Sequence, residues 1–61
     1  MPFVEVHMIS GRTDDQKRAL ARAITDALVT YANASPDHLH VVINEYSKDN
    51  WAIAGGLLSD S

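Results

Sequence analysis

The sequence predicts an α/β chain of the α+β type: a single domain over residues 1–61, built as a β-α-β unit with a parallel strand pair and a short C-terminal hairpin. Three observations lead there. Apolar and polar residues alternate from Phe3 to Ile9 and again from Leu39 to Tyr46, the period of a half-buried strand. Between them, Leu20, Ile24, Ala27, Leu28 and Tyr31 recur at steps of three and four, which places them on one stripe of a helix. The order strand, helix, strand then requires parallel strands joined by a right-handed crossover.

The first strand starts beside Pro2, whose missing N–H suits the beginning or the edge of a ladder. Val4, Val6 and Met8 share one face, and Phe3, Glu5, His7 and Ile9 the other. Gly11 breaks the run. Thr13 and Gln16 have the spacing of a capping box, and Asp14 and Asp15 suit the positive end of a helix, which is expected from about Asp14 to Tyr31 or Ala32. Lys17, Arg18, Arg22 and Asp26 fall largely on the side away from the apolar stripe. Asp14 to Arg18 and Arg22 to Asp26 have i,i+4 spacing, so this group reads as a solvated, ion-paired face.

Asn33 to Pro36 supplies the stop, because Asn and Ser favour turns and a residue before proline avoids the helical region. The second strand turns His40, Val42, Asn44 and Tyr46 one way and Leu39, Val41, Ile43 and Glu45 the other. After the polar stretch Ser47–Asn50, Trp51 to Ala54 is a short apolar piece, Gly55-Gly56 the expected turn and Leu57-Leu58 the returning fragment.

So short a chain buries only about 60% of the surface its unfolded form exposes. With no cysteine, disulfides and thiolate zinc sites are excluded as staples. A hydrophobic content of 46% exceeds what a lone domain of this size hides, so self-association is expected. The net charge of -3, without a basic run, disfavours nucleic acid and anionic membranes as partners. No apolar run reaches membrane-span length and no signal peptide is visible, so a cytoplasmic protein is expected.

Phosphate loops, serine elbows and paired-histidine zinc helices are all absent. His38-Leu39-His40 sets two imidazoles two residues apart on a strand, which by itself does not make a metal site. The start of the chain is more informative. Removal of Met1 would make Pro2 a free secondary amine, rigid at φ and ordinarily titrating near about 8 as α-amino groups do. Such an amine is an efficient general base. Arg12, just before the helix, reads either as a solvated loop residue or as a carboxylate clamp. Trp51, the single tryptophan, suits either an oligomer core or the apolar wall of a pocket.

A chain of this length opening Met1-Pro2, with Gly11-Arg12-Thr13-Asp14-Asp15-Gln16-Lys17, a Val41-Val42-Ile43 strand ending in Glu45, and Asn50-Trp51 ahead of Gly55-Gly56, resembles the 4-oxalocrotonate tautomerase family along essentially its whole length. The resemblance implies protomer pairs that share a four-stranded sheet, usually assembled as a hexamer, a trimer of dimers of one chain. It implies a cofactor-independent isomerase acting on an unsaturated 2-oxo acid such as 2-hydroxymuconate. Pro2 matches the family's base. Arg12 matches its carboxylate-holding arginine, contributed by a neighbouring subunit, and Trp51 stands at its pocket aromatic, usually Phe.

Two departures stand beside that resemblance. His40 occupies the place of the family's second arginine, which meets the 2-oxo group and its carboxylate. Imidazole donates a hydrogen bond but is not a permanent, forked cation. The family's Gly-x-Gly reads Ala52-Ile53-Ala54 here, a segment less free at φ. Ile53 also stands where related dehalogenases carry a water-activating carboxylate, which argues against the alternative of a dehalogenase or hydratase. A further alternative is a non-catalytic self-assembling protein, with Pro2 ornamental and Trp51 in an interface.

Overall fold

In the computed structural model, which describes residues 1–61, Phe3–Ile9 forms β1, Asp14–Ala32 forms α1 and His40–Tyr46 forms β2. β1 and β2 are parallel, in register from Phe3 beside His40 to Ile9 beside Tyr46. The helix-covered face therefore carries Val4 beside Val41, Val6 beside Ile43 and Met8 beside Glu45. Leu20, Ile24 and Leu28 of α1 are half-buried, as are Val4, Val6, Val41 and Ile43. The opposite sheet face carries Phe3, Glu5, His7, His40, Val42 and Tyr46 and is left open.

Local signals set the helix ends. Thr13 accepts from the Gln16 N–H at 3.1 Å while the Thr13 N–H donates to Gln16 Oε1 at 2.8 Å, the reciprocal capping box. At the other end Asn33 enters the left-handed region (φ 53), and the Ala34 N–H turns back to the Leu28 carbonyl at 3.3 Å.

Three local expectations are corrected. The strand containing His40 begins at that residue, not at Leu39, and His38 lies in a 3-10 turn over Pro36–His38 rather than on a strand. The Leu39 N–H is taken by the Pro36 carbonyl at 3.4 Å, so the turn absorbs it before the ladder begins. The hairpin turn sits one residue earlier than Gly55-Gly56. Ala52–Ile53 (β3) pairs antiparallel with Gly56–Leu57 (β4), and the central residues are Ala54 (φ 52) and Gly55 (φ 85). Two positive φ values match the twist of a tight hairpin, and that geometric demand overrides the preference of alanine.

The third correction concerns charge. Arg18 pairs with Asp15 at 2.7 Å rather than with Asp14, and Arg22 makes no ion pair with Asp26. Lys17 is not merely solvated. Its ammonium reaches across to Glu45 on β2 at 2.8 Å as well as to Asp14 at 3.6 Å. Glu45 holds Lys17 above the ordinary lysine value, first by hydrogen bond and then by charge.

One protomer does not make a self-sufficient core. No residue is fully buried. A compact monomer of this mass would expose about 3,900 Å², whereas this chain exposes 4616 Å². Its radius of gyration is 14.5 Å, against about 10.5 Å for a compact chain of equal length. Phe3 on the open sheet face and Ile53 on the hairpin are both more than half exposed.

Candidate active site

Pro2, Arg12, His40 and Trp51 fall into two groups at opposite ends of the sheet. Pro2 and His40 stand together at the start of the strands, where the His40 N–H donates to the Pro2 carbonyl at 3.1 Å. That contact uses the one backbone group proline still offers to a ladder and leaves its nitrogen side toward Met1, which is 87% exposed. The His40 ring stacks on Phe3 with centroids 6.3 Å apart and planes at 29°, and its nitrogens make no hydrogen bond within the chain.

Arg12 and Trp51 stand at the other end. Gly11 (φ 134) takes the chain out of β1 in a conformation that side chains disfavour, and Arg12 follows immediately before the Thr13 cap. One Arg12 nitrogen donates to the Ile9 carbonyl at 2.8 Å. Arg12 joins none of the ion pairs, so most of its donor fork is open to an anion. Trp51 presents to the Tyr46 ring at 5.7 Å and 65°, an edge-to-face contact. Tyr46 lies beside Ile9 in the ladder, and the Ser10 N–H donates to the Tyr46 carbonyl at 2.8 Å, so Trp51 and Arg12 share that end.

The separation decides what one chain can do. From Pro2 to Ser10 the strand rises about 25 Å, while a six-carbon dicarboxylate is about 8 Å long at ordinary bond lengths. No such molecule bridges Pro2 and Arg12 of the same protomer. The concavity the protomer does have, lined by Arg18, Ala21, Arg22, Thr25 and Pro36, contains none of the four residues. No group of three or more His, Cys, Asp or Glu side chains converges on a metal position.

Sequence reasoning missed the Lys17–Glu45 bridge, which ties α1 to β2 on the Arg12 side of the fold. The available signal was parity: Glu45 shares its strand face with Val41 and Ile43, and a carboxylate placed there needs a cation from the covering helix.

A family profile described as tautomerase enzyme matches residues 2–61. The chain belongs to the tautomerase family. It is an enzyme, an isomerase by class. The 2-hydroxymuconate tautomerase of Bacillus subtilis is 47% identical to this tautomerase over 60 residues, covering 98% of this chain and 97% of that one. The crystal structure of a homologue of 4-oxalocrotonate tautomerase superposes with a TM-score of 0.95 at 45% identity, covering 98% of each chain. A heterohexamer 4-oxalocrotonate tautomerase from Chloroflexus aurantiacus superposes at 0.91 with 25% identity, covering 98% of this chain and 97% of that one. The β-α-β protomer with its terminal hairpin is thus the tautomerase fold.

Proposed function

We propose that this tautomerase interconverts the enol and keto forms of an unsaturated 2-oxo acid, a dicarboxylate such as 2-hydroxymuconate, in a site shared between copies of the chain. One observation carries the reading: the basic end at Pro2 and the open guanidinium at Arg12 are about 25 Å apart along one strand, so they can serve one small substrate only if a neighbouring copy brings the second to the first. The half-covered sheet and the heterohexamer relative support an assembly of this kind, which we take to be a hexamer of identical chains.

The chemistry begins with removal of the exposed Met1, which turns the Pro2 nitrogen from a tertiary amide into a secondary amine. The guanidinium of a neighbour's Arg12 disfavours the ammonium form of that amine and binds the distal carboxylate. The nitrogen lone pair takes the enol hydroxyl proton, the O–H pair becomes the carbonyl π bond, and the conjugated double bonds shift. The ring N–H then delivers the proton to the carbon at the far end of the conjugated system. His40, with its ring nitrogens unengaged, donates to the 2-oxo oxygen as charge develops there, and Trp51 is the apolar wall.

The test is an ultraviolet assay of 2-hydroxymuconate ketonisation on protein whose amino terminus is established by mass spectrometry. Protein lacking Met1 is expected to be active, and Pro2→Ala to lose about a hundredfold or more, the usual share of a general base. Equal rates for wild type and Pro2→Ala, or full activity in protein that retains Met1, would overturn the proposal.

A further inference from the structure

The open face of the sheet carries a chain of polar contacts that ends on Trp51. Glu5 and His7 point to that face from β1, and Tyr46 from β2. His7 lies beside Asn44 in the ladder, so Tyr46, two residues further along, is its diagonal neighbour. His7 Nε2 is 3.2 Å from Glu5 Oε2, and His7 Nδ1 is 2.9 Å from the Tyr46 hydroxyl oxygen. The two rings stack with centroids 5.9 Å apart and planes at 25°. Tyr46 in turn meets Trp51 edge to face at 5.7 Å.

Chemistry fixes the direction of this chain. An ionised carboxylate only accepts, so Nε2–H donates to Glu5, and the Nδ1 lone pair of the neutral ring is then the acceptor for the Tyr46 O–H. The hydroxyl is thereby committed, and with it the plane in which the tyrosine ring faces the indole. No other side chain bonds the Tyr46 hydroxyl.

We propose that His7 is a positioning residue of the site: braced by Glu5, it holds Tyr46, and Tyr46 sets the orientation of the Trp51 wall and hence the fit of the substrate's apolar middle. The role of Trp51 as a wall rests on the function proposed above; the coupling of His7 to Trp51 does not.

The experiment uses the full-length assembled protein with its single tryptophan as reporter. Variants are His7→Ala, Tyr46→Phe, the double variant, and His7→Asn, whose Oδ1 replaces Nδ1 as acceptor. Each is compared at the oligomeric mass of the wild type. The expected result is that His7→Ala and Tyr46→Phe shift the Trp51 emission alike and raise KM about fivefold, what one modest hydrogen bond is worth, with kcat little changed. The double variant resembles either single one, and His7→Asn returns toward wild type. Unaltered emission in both single variants, or effects that simply add in the double variant, would overturn the proposal. Tyr46→Phe keeps the ring volume, so it decides the matter if His7→Ala fails to assemble. If wild type does not turn over 2-hydroxymuconate, the proposed function fails while the emission pattern still tests the coupling.

Discussion

Ala54 is held in the left-handed region at φ 52, as the first central residue of the two-residue turn between β3 and β4. For an L-residue with a Cβ that conformation costs about 1–2 kcal/mol. Glycine removes the steric cost but adds unfolded-state freedom worth about 0.4–1 kcal/mol. The difference predicts that Ala54→Gly stabilises the protein by about 1 kcal/mol, or about 4–8 °C in Tm for a chain near this size. Ala54→Asn should stabilise as well, since Asn tolerates positive φ and Asn-Gly is the preferred pair for this turn. Gly55→Ala, at φ 85, should lower Tm. The assay is thermal melting followed by circular dichroism at one chain concentration, because assembly makes Tm depend on concentration. An Ala54→Gly protein that melts at or below the wild-type temperature would refute the assignment of strain to this turn.

Two further outcomes follow from the charges. Because Glu45 raises the Lys17 value in the folded state, the stability from this bridge is complete below the unfolded value of 10.5 and is lost as pH rises through the folded one. Denaturation profiles of Lys17→Met should therefore fall less steeply than wild type above pH 10.5, and identical slopes would dismiss the bridge as a contributor. His40→Arg should raise turnover of 2-hydroxymuconate about tenfold, since a forked permanent cation meets an oxyanion better than imidazole does. No gain would show that residue 40 does not face the 2-oxo group.

Much of this architecture is legible in the residues because its causes are local. Thr13 and Gln16 cap the helix through atoms three residues apart, Asn33 ends it with its own backbone, and alternation in the two strands survives because one face meets a helix. What was not legible depends on partners distant in sequence or on geometry that opposes propensity. Nothing near Lys17 points to Glu45, 28 residues away. Ala54 gives no sign of a left-handed turn, which the strand register imposes. His38 joins a turn because Pro36 nucleates one, although its neighbours look strand-forming. The candidate site shows the same division. Pro2, Arg12 and Trp51 attract notice singly by their chemistry, but that the first stands at one end of the sheet and the other two at the far end emerges only when the strand is laid out. The links from His7 to Tyr46 and from Tyr46 to Trp51 are likewise tertiary.

The shared site is tested most directly by mixing two inactive proteins. Pro2→Ala and Arg12→Ala chains, unfolded together in equal amounts and refolded, should regain about a quarter of wild-type activity, because random assembly gives that share of sites an intact proline from one chain and an intact arginine from another. If proline and arginine of the same chain formed each site, the mixture would stay as inactive as its two components, and the account would be wrong.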